Sequence, residues 1–504
     1  MKKKATVLTA GTLTLALALT GCSTGSSPKT AATGSEKPAA TSSAAPVKKE
    51  IKYIAPYNPA TDTFKDGLNI NNNPIIKYHR EKSGIDVQIE VLPRENPSQK
   101  ISLILASGDV PDWIPFGSKE DYFKLAKQGA FLQLDELIKK APNYQKLVTP
   151  EQLDAARVDG KLYAFVYPQT ATVARGVLIR SDLLQELNLK QPNTLDEYVQ
   201  VFKTIKEKKG ITPLTAASSG EDFDSSLSAF AGAFGVGTTT VVKNGKLEFS
   251  YVQPEYKEYL TFLKMLFDEG LLDKEFPVLK TNNLTEKMIA GKAAAAVISW
   301  WDAKTITDTL ATKIPNAKVD YQNLPVGPKG LSGMIQEVPI ARYSVIPKGA
   351  KNAEAMVEYL NYISSPDALK VQDFGFEGTN YKMENGKPVQ TIAQSNEIGW
   401  RIMYQLMDTK ENFSNRLVSK GFTPYYNSLV DDKQVKEETF FAPPIDGYDK
   451  KLSELRTFKN ENVVKFIVGN RDLKEFDKFV EEFNARGGKT AIDAMNNEYF
   501  TKKK

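Results

Sequence analysis

From Ile51 onward the apolar residues switch between two spacings, and this switching restricts the chain to few folds. Short runs at period two alternate with longer stretches at helical spacing, the pattern of an α/β protein with largely parallel sheets. Ile85-Asp86-Val87-Gln88-Ile89-Glu90-Val91 alternates strictly and predicts a strand. Asn96-Pro97 then supplies a helix cap and a first-turn proline, with Ile101, Ile104 and Leu105 on one face and Gly108 as the stop. Asp112-Trp113-Ile114 reads as the next short strand. Thr194 and Glu197 form a capping box opening a helix with Tyr198, Val201, Phe202 and Ile205 inward. Ala353, Met356, Val357 and Leu360 repeat that spacing, as do Leu473, Phe476, Val480 and Phe483. No repeat of fixed period runs through the chain, and after about Asn396 the strands stop and the tail reads as helical.

The first fifty residues obey other rules. Lys2, Lys3 and Lys4 precede an uncharged, largely apolar run from Ala5 to Leu19, and small residues follow. That order is a secretory signal over residues 1–21. The run is too short for a membrane span, which needs roughly 20 apolar residues. Cys22, the only cysteine of the chain, closes Leu19-Thr20-Gly21-Cys22, which resembles a bacterial lipobox. The resemblance implies cleavage before Cys22 and lipidation of its sulfur; the alternative is an ordinary signal with an incidental cysteine. Residues 22–50 read as the lipidated cysteine and a flexible tether, with Val47 the only large apolar residue after Cys22 and an r.m.s. reach of about 30 Å.

Composition excludes more chemistry than it suggests. Loss of the signal removes three lysines and brings the formal charge of +5 close to balance, so nucleic acid is not an expected partner. With 41% hydrophobic and 25% charged residues the remainder is an ordinary globular composition. One cysteine and one histidine leave no disulfide, no Cys/His zinc site and no Cys–His dyad, so neither metal nor cofactor is expected. A Ser–His–Asp triad would need His79, in Ile75-Ile76-Lys77-Tyr78-His79-Arg80. That segment reads as an amphipathic helix with Ile75, Ile76 and Tyr78 inward and His79 at the surface. Hydrolysis of glycosides by carboxylates alone stays open. Gly488-Lys489-Thr490 lacks the earlier glycine of a phosphate loop, since position 483 is Phe483, and reads as a helix stop.

Five segments taken in order are more telling. Leu105-Ala106-Ser107-Gly108-Asp109-Val110-Pro111-Asp112-Trp113 resembles an element of family 1 extracellular solute-binding proteins. So do Asp159-Gly160-Lys161-Leu162-Tyr163 and the stretch from Leu178-Ile179-Arg180-Ser181-Asp182-Leu183 to Pro192-Asn193-Thr194-Leu195-Asp196-Glu197. Met288-Ile289-Ala290-Gly291-Lys292-Ala293-Ala294 is similar to that family's strand entry, and Pro347-Lys348-Gly349-Ala350 with Ser364-Ser365-Pro366-Asp367-Ala368 to another paired signature. Phe374-Gly375-Phe376-Glu377-Gly378-Thr379-Asn380-Tyr381 resembles the longer Gram-positive lipoproteins of the family.

The resemblance implies a two-lobe, type II periplasmic-binding-protein-like α/β fold, with crossing strands between the lobes and a helical C-terminal extension. Residues 51–172 plus 343–374 would form lobe 1, and 173–342 plus 375–504 lobe 2. Crossings are implied near Thr172–Arg175, Pro339–Ser344 and Phe374–Tyr381. Gly176 and Gly375 suit hinges or simple element ends, and both readings stay open. Some relatives carry an acidic loop resembling an EF-hand after the capped helix. Here Lys206-Glu207-Lys208-Lys209-Gly210 runs straight into Ile211-Thr212-Pro213, leaving too few oxygens for a calcium ion, which takes 6–8.

Ligand would lie between the lobes. Sugar recognition needs flat apolar faces and paired polar groups. Trp300-Trp301 ends the strand Ala293–Ser299, where the family often keeps a stacking aromatic. Neighbouring strand residues face opposite ways, so one tryptophan is expected in the core and one in the cleft. Trp113 carries the same two alternatives, while Asp112 is expected to pin its strand end. Phe116 and Glu120 lie in the stretch that reaches the cleft lip in relatives. Glu337, Arg342 and Tyr343 flank the second crossing as partners for hydroxyls, and Tyr167 and Phe376 complete the candidate set. The implied function is a membrane-anchored extracellular solute-binding protein of an ATP-binding cassette (ABC) importer. It would act as a monomer, take an oligosaccharide and hand it to permease subunits. A secreted carboxylate glycosidase and a non-transport surface lipoprotein are the alternatives.

Overall fold

The period-two runs become strands, and the helical runs pack on them around two large apolar cores. The computed structural model describes residues 49–57, 64–93, 95–169, 173–218, 223–419 and 434–503. The signal segment, Cys22 and the tether up to position 48 lie outside these residues. Ten strands carry the argument: β1 (Lys49–Ala55), β2 (Ile85–Val91), β3 (Ile114–Phe116), β4 (Phe165–Pro168), β5 (Arg175–Ile179), β6 (Thr212–Leu214), β7 (Ala293–Ser299), β8 (Asp320–Tyr321), β9 (Met334–Ile335) and β10 (Ile340–Val345). Strand β1 starts at Lys49 because Lys49 and Glu50 already pair with Ile85 and Asp86, so the last two tether positions belong to the sheet.

The first core gathers Ile51, Tyr53, Val87, Ile114, Phe165, Val345 and Leu360. Strands β1 and β2 pair in parallel, and Tyr53 bridges Trp113 in the same sense. Strand β10 lies between β3 and β4 and runs antiparallel to both. Asp112 pins this end as expected, its carboxylate accepting from Lys52 N at 3.0 Å and Asn352 N at 2.8 Å. The second core gathers Val177, Phe202, Leu214, Phe230, Leu260 and Val297 around the order β8–β5–β7–β6. Only β7–β6 is parallel there. The expectation of largely parallel sheets is therefore corrected: every antiparallel pair in these two sheets includes β5 or β10, the strands on which the chain changes core.

Local signals hold where they depend on neighbours in sequence. Thr194 and Glu197 exchange capping bonds, and the helix Leu195–Lys209 buries Tyr198, Val201, Phe202 and Ile205. Gly210 ends it at φ +66°, a conformation that favours glycine, and β6 begins two residues later with no inserted loop. Gly108 ends the helix Pro97–Ser107 in the same way. Asn96, expected to cap through its side chain, is itself left-handed, and its carbonyl accepts from Gln99 N and Lys100 N instead. Gly487 joins two helices, Phe476–Ala485 and Gly488–Met495.

Other expectations fail on packing. His79 is fully buried, not at the surface: the helix Pro74–Ser83 buries Ile75, Ile76 and His79, one helical stripe. The change of core expected at Phe374–Tyr381 does not occur there, because Ile398, Trp400, Met403 and Met407 still pack in the first core. Phe413 and Leu417 are the next residues in the second core. Gly375 sits where a Cβ would come within 2.4 Å of Asn380 Oδ1, so a close approach accounts for the glycine. Gly176 lies inside β5, paired with Ile298. Among the described residues, the tail carries the short strand Gln434–Val435, paired with β9, and helices led by Asp446–Val468.

Candidate functional site

Alternation along β10 divides its side chains between two environments. Arg342 pairs with Tyr167, and Ser344 with Phe165 and Pro115, so these five share one face of the sheet. Tyr343 and Val345 point to the other face with Phe116 and Ile114. On that second face Tyr343 stacks on Tyr122 at 4.8 Å between ring centres, and Phe116 packs on Phe131 at 5.6 Å. Burial raises the Tyr343 pKa and holds its phenol neutral.

The Arg342 face opens on a cavity of about 140 Å³. Trp113, Pro115, Tyr167, Arg342 and Ser344 line it from the sheet. Pro56 and Tyr57 add to it just beyond the carboxyl end of β1, where open α/β sheets bind ligands. The Arg342 guanidinium lies 3.9 Å from the centre of the Tyr167 ring, a cation–π contact that follows from their opposition in the ladder. Trp113 is buried in the cavity wall and stacked on Phe165 at 5.4 Å between ring centres. Ile402, Gln405 and Leu406 close the remaining side. Their segment is held by Arg401, which donates to the carbonyls of Asp373, Ser395 and Ile398.

A second cavity, of about 310 Å³, lies on the side of Tyr343. Lys119 and Glu120 line it from the helix Lys119–Lys127, and Glu437, Asp449 and Arg456 line it from the C-terminal segment. Charges of both signs face one another across it. Burial pushes the Lys119 pKa down and the Asp449 pKa up, and Lys119 Nζ donates to Ala442 O at 2.6 Å. Glu437 is held from within the protein, accepting from Thr240 N at 2.9 Å and from Thr439 Oγ1 at 2.8 Å.

The structure thus divides the sequence-derived residues. Trp113, Tyr167 and Arg342 meet in the first cavity, and Glu120 and Tyr343 in the second. Phe116 serves the core. Phe376 packs edge-on against Tyr78 at 5.5 Å, and Glu337, half-buried, lines neither cavity. Trp300 and Trp301 open the helix Trp300–Lys313 and do not extend β7, so the opposite-face argument does not apply to them. Trp300 packs on Phe413 at 5.6 Å, while Trp301 is 49% exposed; neither lines these cavities. Sequence reasoning missed Tyr57 and Gln405. The end of β1 was a usable signal for Tyr57, but Gln405 follows a 3₁₀ turn with no motif.

The family described as bacterial extracellular solute-binding protein matches residues 62–370. The chain belongs to this family. It is 25% identical over 501 residues to Lipoprotein LipO of Bacillus subtilis, covering 92% of this chain and 94% of that one. It is 23% identical over 433 residues to the polygalacturonan/rhamnogalacturonan-binding protein YtcQ of the same organism, covering 83% and 86%. The fold is shared with the substrate-binding protein FusA of Streptococcus pneumoniae, solved in complex with kestose, at a TM-score of 0.67 and 19% identity over 90% of this chain and 99% of that one. The architecture is accordingly the two-lobe, type II one. Solute-binding proteins capture ligands and are not enzymes, which sets the glycosidase alternative aside.

Proposed function

We propose that this solute-binding protein is held to the outer face of the cell membrane by lipid on Cys22. It captures an oligosaccharide between its lobes and delivers it to the permease of an ABC importer. The observation that carries the reading is the first cavity: aromatic faces, a guanidinium and amide and hydroxyl groups converge beyond a strand end in a protein of this family. The names of its relatives support a carbohydrate ligand, and the lipobox-like Cys22 supports the anchor. We assign the described residues within 49–169 plus 336–408 to one lobe and those within 173–335 plus 409–503 to the other, following the core in which most of each segment packs. Tyr57, Trp113, Tyr167, Arg342 and Gln405 contact the sugar from the first lobe. Trp301, open to solvent at a helix start, is the stacking partner from the second.

Thermal denaturation against a library of plant and microbial oligosaccharides tests this. A true ligand at 100 times its Kd adds about 2.7 kcal/mol of stability. No stabilisation by any saccharide, together with capture of a protein partner independent of ligand, would favour the non-transport lipoprotein instead.

A further inference from the structure

Among the described residues, Arg342 carries the only charge in the wall of the first cavity, and no carboxylate lines that wall. Its side chain is half-buried and contacts the Tyr167 ring; among the described residues it has neither an ion pair nor a side-chain hydrogen bond. The second cavity differs, since Lys119 and Arg456 share it with Glu120, Glu437 and Asp449. Withdrawing a cation from water without an anion is costly, so a ligand that supplies the anion gains most at Arg342. Guanidinium stays charged at every accessible pH, and its fork of N–H donors matches a carboxylate two bonds at a time. The Tyr167 ring occupies one face of that group, which leaves the donors along its edge for a ligand.

We propose that the cavity binds the carboxylate of an acidic sugar, so that the solute is a uronate-containing oligosaccharide. This rests on the solute-binding reading above and narrows it to one chemical class. Size agrees. At about 140 Å³ the cavity is smaller than the roughly 300–1,000 Å³ of pockets that enclose a whole ligand, so it admits a single ring while the rest of the chain lies outside. Tyr57 and Trp113 offer apolar surface to that ring, and Ser344 and Gln405 offer partners for its hydroxyls.

Calorimetric titration of the purified protein with trigalacturonate, trimannuronate and their methyl esters tests the proposal, because esterification removes charge and keeps the ring. At least one acid should bind roughly ten- to a hundredfold tighter than its ester. Arg342→Gln should weaken binding of the acid more than that of the ester, so that the preference for the acid disappears, with the melting temperature near the parent's, and Arg342→Lys should restore only part of that preference. Equal binding of acid and ester would overturn the proposal. So would an equal loss for both in Arg342→Gln, which would make Arg342 a support for Tyr167. If Arg342→Gln fails to fold, the acid–ester comparison on the parent decides alone. A neutral oligosaccharide that binds where both acids fail would sink the uronate proposal and leave the solute-binding reading standing. Failure of every saccharide, neutral or acidic, would sink both.

Discussion

His79 sits on the buried stripe of its helix, with Nδ1 3.0 Å from the Tyr362 hydroxyl and Nε2 without a partner among the described residues. Desolvation pushes its pKa down to about 3 from an ordinary 6.5, so the folded protein holds it neutral. The unfolded chain takes up this proton near pH 6.5 and the folded chain only near 3. Between those values the unfolded state binds more protons, and stability falls as pH drops, by about 1.4 kcal/mol per pH unit from this group. The loss of stability between pH 7 and pH 5 should therefore be about 2 kcal/mol smaller in His79→Gln than in the parent. Urea unfolding at the two pH values measures this. Identical pH slopes would mean that His79 titrates normally in the folded state. Trp300 and Trp301 make a second contrast at this scale, one indole packed on Phe413 and its neighbour half open to solvent.

The helix Asp446–Val468 is the element that fastens the C-terminal extension. Its Lys459 is fully buried and meets Asp224 Oδ2 at 2.8 Å. Tyr256 donates to the same carboxylate at 2.9 and 3.0 Å, and the Lys459 ammonium lies 4.7 Å from the Tyr251 ring centre. A buried pair is worth little against an apolar replacement of both partners, but removing one strands the other charge. Lys459→Met should cost about 3–5 kcal/mol, and Asp224→Asn added to it should recover most of that loss. Chemical denaturation of the two single variants and the double variant gives the coupling directly. Purely additive losses would show that the two charges are solvated independently. Strand β10 makes a different point about elements: Arg342 and Tyr343, adjacent in sequence, serve different cavities because a strand turns successive side chains to opposite faces.

At the scale of the whole molecule, the buried residues move from the first core to the second between Val166 and Val173, return to it between Met334 and Ile340, and leave it again between Met407 and Phe413. The second cavity is walled from both sides, by Lys119 and Glu120 on one and Asp449 and Arg456 on the other. A ligand that touches both lobes stabilises whichever arrangement brings them together, in proportion to its difference in affinity for the two arrangements. Small-angle scattering should then show a smaller radius of gyration at saturation with the oligosaccharide found by thermal screening. Unchanged dimensions would mean that ligand fills a preformed pocket on one lobe.

What the sequence determined by itself is local. The strand Ile85–Val91 and the Thr194–Glu197 capping box follow from periodicity and caps, which involve residues a few positions apart. The five ordered segments carried the family and the two-lobe architecture with them. Tertiary structure alone decided where those elements meet. His79 turned inward because its face of the helix found the first core, although spacing from Ile75 already placed it on that stripe. Arg342 reached Tyr167 through the register between β4 and β10, strands far apart in the chain, and Gln405 arrived on a turn whose position Arg401 fixes. The third passage falls after Met407 and not at Gly375 because residues 398–407 bury apolar surface that only the first core covers. Register and the choice of buried face depend on partners distant in sequence, and no spacing within one segment encodes them.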